Sequence, residues 1–478
     1  MKILYVTSEA APYATSGGLG DVMGSLPAAV LSSLGVENEV AVILPLYAQV
    51  SLTHRAAMEK VTEFYFPFAW RRSYAGIYKL TSGEGVTYYF VDNEQYFKRP
   101  TMYGQYDDGE RYAYFGHAVV EFMLHTGFIP DVLHANDWQS ALSVVYLKLR
   151  YGMCTQLHGI KTVFTIHNIE YQGRYDIRIA GDIFDIGYEN IGIVEYNGDI
   201  NLLKAALVCA DTVTTVSPTY ARELEHDYFA YGMAHMIRML AAKMHGIING
   251  LDTAYFDPAR GDIPASYTIE DLVAGKAANK AHLQNSLGLP AEADTPLIAM
   301  VTRLTEGKGV DLLLHVFEEL MRERVQFVLL GTGEAHYEHI LSTLCERHGD
   351  RARALLRFDR ALSKTIYAAA DIFLMPSKTE PCGLAQMIAC RYGTVPVVHG
   401  VGGLADSIVP YGEENSLGFV FRNFNAHDML FRLKEALSLY KNKEEWHALA
   451  ARAARADFSW KTSAEAYIRV YKKENSFQ

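Results

Sequence analysis

Short apolar runs alternate with stretches of helical period along most of this chain. Lys2–Glu9 (KILYVTSE) reads as a buried strand, and from Leu19 the apolar positions Val22, Leu26 and Val30 recur at helical spacing. Pro27 breaks that pattern, so a kink or a stop is expected there. Glu39–Pro45, Val86–Asn93, Asp131–Asp137, Lys161–Asn168 and Asp211–Pro218 read as further strands, and Gly109–Gly127 as a helix. Strand–helix alternation of this kind predicts a parallel sheet covered on both faces. The pattern pauses in a Gly-, Pro- and Asp-rich stretch, which places a linker near Asn249–Phe256. It then resumes. Strands are expected at Pro296–Arg303, Val325–Gly331, Asp371–Pro376 and Val395–Gly400. Helices are expected at Val310–Glu323, Glu334–Arg347, Ser363–Ala370 and Gly383–Gly393, with a last one in Phe458–Glu474.

The expected architecture is α/β, with two Rossmann-like, doubly wound units. At 478 residues the chain is too long for a single core. The predicted division is 1–250 as a first domain, joined by a C-terminal helix at 459–478, and 251–458 as a second. The net charge of −11 argues against nucleic acid and anionic membranes as partners. No run is long enough to span a bilayer, and the first residues read as a strand and not as a signal peptide. The five scattered cysteines lack a C-x-x-C, which argues against disulfides and a structural zinc and fits a cytoplasmic protein.

Ligands of doubly wound sheets bind outside the carboxyl ends of the strands, so the chemistry is sought in the loops that follow them. In TRLTEGKGVDLL, Arg303 and Lys308 flank a strand-to-helix loop and make an anion site suited to a diphosphate leaving group. In MPSKTEPCGLAQ, Glu380 precedes a helix start whose Cys382, Gly383 and Leu384 amides point outward. Cys382 itself reads as a packing residue and Glu380 alternatively as a helix-dipole charge. His134, Asp137, Trp138 and His167 follow strands of the first half; Asp137 alone is also a plausible helix cap, and Trp138 a core ring. The turn ATSGGLGDV puts Gly17 and Gly18 before a helix, where bare amides can approach a ligand, although the spacing is not G-x-G-x-x-G. GGLGD (Gly17–Asp21) recurs faintly as GGLAD (Gly402–Asp406). There is no D-x-D or H-E-x-x-H, so a metal-free reaction is expected.

Taken in order, SGGLGDVMGSLP, YFKRPTMYG, HANDWQSAL, TIHNIEYQG, HGIINGLD, TRLTEGKGVDLL, LLGTGE and SKTEPCGL give the chain a resemblance to bacterial glycogen synthases and plant starch synthases over its full length. The resemblance implies a GT-B fold, with two Rossmann-like domains facing a deep cleft and the C-terminal helix crossing back onto the first. It implies transfer of glucose from ADP-glucose to the non-reducing end of an α-1,4-glucan, with retention and with no cofactor or metal. Arg303 and Lys308 would hold the diphosphate, Glu380 would be essential at the donor, and Asp137 and His167 would face the reacting glucose. The expected substrate-binding set is Thr15, Ser16, Gly17, Gly18, Asp21, Tyr96, Trp138, Asn249, Gly331, Tyr367, Cys382, Gly383 and Leu384.

The chain departs from the family pattern in two places. Thr15 and Ser16 stand where K-T or K-V precedes the Gly-Gly pair, which removes a cation and leaves the donor, ADP-glucose or UDP-glucose, open. Ile388 stands where some relatives carry a second acid. Same-face attack on a short-lived ion pair is favoured over double displacement, because no second carboxylate announces itself. An inactive glucan-binding homologue and a nicotinamide dehydrogenase are the rival readings.

Overall fold

The computed structural model describes residues 1–35 and 37–472. Its contacts divide the chain into two compact units. Unit 1 holds Met1–Val216, Ala221–Gly250 and the chain from Trp460 onward; unit 2 holds Ser217–Tyr220 and Leu251–Ser459.

Unit 1 is built on a nine-stranded sheet. Its parallel strands are Lys2–Val6, Glu39–Pro45, Thr87–Asp92, Val132–Asn136, Lys161–Ile166, Thr212–Thr215 and Met244–Gly246. Numbered along the chain they lie in the order 7-6-5-4-1-2-3, so the strand order reverses between Lys2–Val6 and Val132–Asn136. Lys2–Val6 and Glu39–Pro45 at the sheet's centre are near-continuous apolar runs, because both faces are covered. The sheet is extended by Arg71–Thr81 and Glu59–Phe68, paired antiparallel. Phe64, Phe66 and Phe68 face in while Glu63, Tyr65 and Pro67 face out. That period-2 alternation is a half-buried hairpin, which a search for continuous apolar runs passes over.

The helix Gly18–Leu34 runs through Pro27 without a stop. Proline removes the bond its amide would have made to the Met23 carbonyl. Val22, Met23, Leu26 and Val30 are buried on one face, and that burial, at about 1.5–3 kcal/mol per side chain, outweighs one missing hydrogen bond.

The last described helix, Trp460–Lys472, packs on unit 1. Trp460, Ala464, Tyr467 and Tyr471 are buried. The Tyr471 hydroxyl lies 2.8 Å from that of Tyr5 and 2.8 Å from Nδ1 of His134. A Cβ on Gly250 would sit 2.5 Å from Cα of Trp460, so glycine is what lets the two segments meet. Residues 473–478 of the expected helix lie outside the described residues.

Unit 2 carries a six-stranded, all-parallel sheet whose strands, numbered along the unit, lie in the order 3-2-1-4-5-6. Strand 1 is Leu297–Val301, strand 2 Gln326–Leu330, strand 3 Ala352–Leu355 and strand 4 Ile372–Met375; Val395–His399 and Phe419–Phe421 complete it. The order reverses between Leu297–Val301 and Ile372–Met375. Asp371 ties their amino ends together, accepting from the Leu297 amide at 2.8 Å and from Lys280 at 2.7 Å. Among the described residues, no helix is long and apolar enough to cross a membrane.

Candidate active site

Each unit presents polar residues at the carboxyl ends of its strands, concentrated at its own reversal of strand order. In unit 1, Thr15–Gly18 follow the first strand, Tyr96 the third, Asp137 the fourth, His167 the fifth and Asn249 the last.

Asp137 stands at the start of the following helix, but its side chain does not cap it. Its backbone has φ +56° and its side chain makes no cap bond to the helix Trp138–Leu149. A left-handed, non-glycine residue at a strand end stores strain that the surroundings must hold. The carboxylate turns to the next loop and accepts the His167 amide at 2.8 Å. Burial raises its pKa to about 7, against the lowering effect of the His167 and Asn168 amides and with a smaller push from the Glu9 charge. The His167 ring donates from Nε2 to Oδ1 of Asn136 at 2.9 Å. Desolvation brings its pKa down to about 3, so the imidazole is neutral near pH 7 with Nδ1 left as an acceptor. Asp137 and His167 are therefore one local constellation. His134 is different. Its ring is fully buried between Tyr471 and the Thr165 hydroxyl, 2.6 Å from Nε2, and burial holds it neutral.

Three expected residues of unit 1 take other places. Trp138 is packed in the core, its ring 5.3 Å from that of Tyr112 and 6.1 Å from that of Tyr175, with Gly173 close against its face. Of the two readings the sequence left open for it, a core ring or a ring at a sugar, its packing matches the first. Tyr96 is buried, its hydroxyl donating to Glu110 at 2.7 Å. The Gly17 amide, expected to be bare, donates to Oε2 of Glu9 at 3.2 Å, as does the Ser16 amide at 2.6 Å. Thr15, Ser16, Gly17 and Gly18 are exposed, Asp21 lies in the first turn of the following helix, and Asn249 is buried with no partner on Oδ1 among the described residues.

In unit 2, Arg303 leaves the end of strand 1 exposed and without an ion pair among the described residues. Lys308 does not stand beside it as a second free cation. Its ammonium donates to Oε2 of Glu380 at 2.7 Å, and the Ser377 hydroxyl donates to the same oxygen at 2.8 Å. Only 8 % of the Glu380 side chain is exposed. An ion pair this deep is costly to break from one side, since the remaining charge is left buried. An ammonium has three donors, so Lys308 can hold Glu380 and an incoming anion together.

The Glu380 loop is shaped by the GGLAD motif. A Cβ on Gly402 would lie 2.0 Å from the Glu380 carbonyl oxygen, and one on Gly403 2.1 Å from that of Cys382. The Gly403 amide donates to the Glu380 carbonyl at 3.1 Å. Cys382 is buried, as a packing residue should be. Gly383 adopts φ +73°, and Leu384 stands just before the short helix Ala385–Arg391. Ser377 and His399, whose Nδ1 donates to the Ser377 carbonyl at 2.7 Å, complete the support of Glu380. Neither was expected, because nothing in their spacing marks them.

Gly331 and Tyr367 depart from expectation. The Gly331 amide is spent on the Leu355 carbonyl, and a Cβ there would lie 1.8 Å from the Thr302 carbonyl oxygen, so the glycine serves close packing of strand ends. Tyr367 is buried against Phe373, and its carbonyl accepts from Thr394, which precedes strand Val395–His399; it therefore sits toward the amino ends of the sheet. A ring that was missed is Phe358, three residues past strand 3 and 83 % exposed. A search of strand-following loops for aromatic as well as charged residues would have found it.

Comparison with known proteins agrees with this geometry. A family described as starch synthase catalytic domain matches residues 2–239, and one described as glycosyl transferases group 1 matches residues 286–453. The glycogen synthase of Streptococcus equi subsp. equi is 45% identical over 99% of this chain and 99% of its own. The catalytic domain of starch synthase IV from Arabidopsis thaliana, solved bound to ADP and acarbose, superposes with a TM-score of 0.90 at 32% identity, covering 98% of both chains. Sucrose-phosphate synthase from Thermosynechococcus elongatus, at 17% identity and a TM-score of 0.62 over 99% of this chain and 98% of its own, shares the fold alone. The fold is GT-B, and the chain belongs to the glycogen synthase family of glycosyltransferases.

Proposed function

We propose that the chain transfers glucose from ADP-glucose to the non-reducing end of an α-1,4-glucan, with retention of configuration. The observation that carries this reading is the Lys308–Glu380 pair at the strand reversal of unit 2, its carboxylate buried, with Arg303 in the same strand-following loop exposed and without an ion pair among the described residues. It is an arrangement that can meet the charge of a departing diphosphate without a cofactor. Phe358 offers a flat exposed ring to a nucleobase. Asp137, near half-protonation at pH 7, and neutral His167 can orient the hydroxyls of the glucose.

In the favoured mechanism the bond from the anomeric carbon to the phosphate oxygen breaks. The acceptor's 4-hydroxyl oxygen bonds to that carbon on the same face, and its proton passes to the departing phosphate. The proposal includes independence from metals and action in the cytoplasm on a soluble polysaccharide. Purified protein given radiolabelled ADP-glucose or UDP-glucose with glycogen should place label on the glycogen from ADP-glucose, and chelation with EDTA should leave the rate unchanged. Label from UDP-glucose alone would overturn the donor assignment. That second reading is kept open by Thr15, which leaves the Gly-Gly turn without a neighbouring cation.

A further inference from the structure

Gly17 and Gly18 stand in open space. A Cβ on either would meet nothing within 4 Å, so packing at these two residues does not set their course. Beside the backbone bonds from Ala11 to the Gly20 carbonyl and from Gly20 to the Gly17 carbonyl, three bonds from the turn converge on one carboxylate. Glu9 lies just past strand Lys2–Val6 and is 4 % exposed. Its Oε2 accepts the Ser16 amide at 2.6 Å and the Gly17 amide at 3.2 Å. Its Oε1 accepts the Ser16 hydroxyl at 2.7 Å and the Tyr103 hydroxyl at 2.7 Å. The Tyr103 oxygen lies 2.8 Å from that of Ser8, on the same strand exit. All four lone-pair directions of the carboxylate are therefore used, three of them by the turn.

We infer that Glu9 is a positioning residue for the transfer reaction: it clamps the Ser16–Gly18 turn in the shape that receives the donor. The inference rests on the reading of the turn as part of the donor site. Two amides on one carboxylate oxygen form a small anion-binding concavity. Here the protein's own acid fills it, so the Ser16 and Gly17 amides serve as anchor points and not as phosphate ligands. Ser16 takes part through both its amide and its hydroxyl, which a valine at this position could not do.

The carboxylate can be replaced by a neutral group of the same shape. In Glu9→Gln, the side-chain oxygen can still accept both amides while its NH2 donates to the two hydroxyls, which can act as acceptors. Glu9→Ala removes the three bonds from Ser16 and Gly17 to the carboxylate and loosens the Gly-Gly segment, whose ordering must then be supplied by donor binding.

The experiment is steady-state kinetics of the full chain with ADP-glucose and glycogen, beside calorimetric titration with ADP, for the parent, Glu9→Ala and Glu9→Gln. The expected result is a KM for ADP-glucose raised about 10-fold or more in Glu9→Ala with kcat within about threefold, and recovery to within about threefold of the parent in Glu9→Gln. Kinetic constants in Glu9→Ala equal to the parent's would overturn the inference, and so would a Glu9→Gln enzyme as impaired as Glu9→Ala. The ADP titration and a thermal melt of each variant identify a misfolded protein; Ser16→Ala, which removes a single anchor, then serves as the milder test, with a smaller rise in KM expected and no rise counting against the clamp. A parent enzyme that transfers nothing from ADP-glucose fails the proposed function instead, which the parent arm shows by itself.

Discussion

Asp137 carries two unusual properties at once, a left-handed backbone and a carboxyl titrating near 7. Its sign of linkage follows. The ordinary value is 3.8. Between that pH and about 7 the unfolded chain releases a proton that the folded protein keeps, so this residue lowers folding stability as pH rises through that range, by up to roughly 4 kcal/mol, and no further above it. His134 and His167 act in the other direction, from 6.5 down to about 3, and cost stability as pH falls through that range. Urea melts from pH 4 to 8 should show Asp137→Asn gaining on the parent as pH rises and level above neutrality. At Glu380, substitution by alanine should lower kcat at least 100-fold and lower the melting temperature less than Lys308→Ala does, since the lysine left behind is about one-fifth exposed to water. Lys308→Ala should be at least as inactive and also less stable, since it strands a buried carboxylate. Phe358→Ala should raise the donor KM about 10-fold, the order expected for one stacked base. Arg303, Lys308 and Glu380 were legible in the sequence because charge in a strand-following loop is visible there. The Lys308–Glu380 contact was not, since it joins residues 72 positions apart. Nor was Glu9, which looks like the last residue of a strand until the turn is seen folded over it.

At the scale of elements, two motifs nearly identical in sequence do different work. In GGLAD the glycines are required by contact, with Gly402 at φ +43° and pressed on the Glu380 carbonyl. In GGLGD the leading pair, Gly17 and Gly18, is surrounded by open space, and only Gly20 is pressed, against Thr15. Gly402→Ala should therefore shift the Glu380 loop, lowering both melting temperature and activity, the latter by 10-fold or more. Gly17→Ala, at an extended backbone position, should leave the melting temperature unchanged. A repeat in sequence did not reveal this difference, because it lies in what the rest of the fold brings near each turn. The parallel strands were legible for the opposite reason: burial on both faces leaves a continuous apolar run. The outer hairpin Glu59–Phe68 and Arg71–Thr81 was not, since its alternation is diluted by charge on the solvent face. At Pro27 the stop that the residue allows does not occur, local propensity giving way to packing.

At the scale of the whole molecule, the two strand reversals give each unit its own set of polar loops, and the family pattern tells which chemistry they carry. Restoring a cation with Thr15→Lys should lower the KM for ADP-glucose while leaving that for glycogen unchanged, measured in the same radiolabel assay. The helix Trp460–Lys472 joins the start of the chain to its far end, through Tyr471 on Tyr5 and His134. Its place on unit 1 sets a schedule for biosynthesis. The seat around Tyr5 leaves the ribosome early, yet its cover is translated after all of Leu251–Ser459. A nascent chain thus carries an unfinished apolar surface on unit 1 all the while unit 2 is being made, and the helix that follows unit 2 seals it. Arrest before Trp460 should yield a polypeptide that binds chaperones and aggregates, however well unit 2 has already folded.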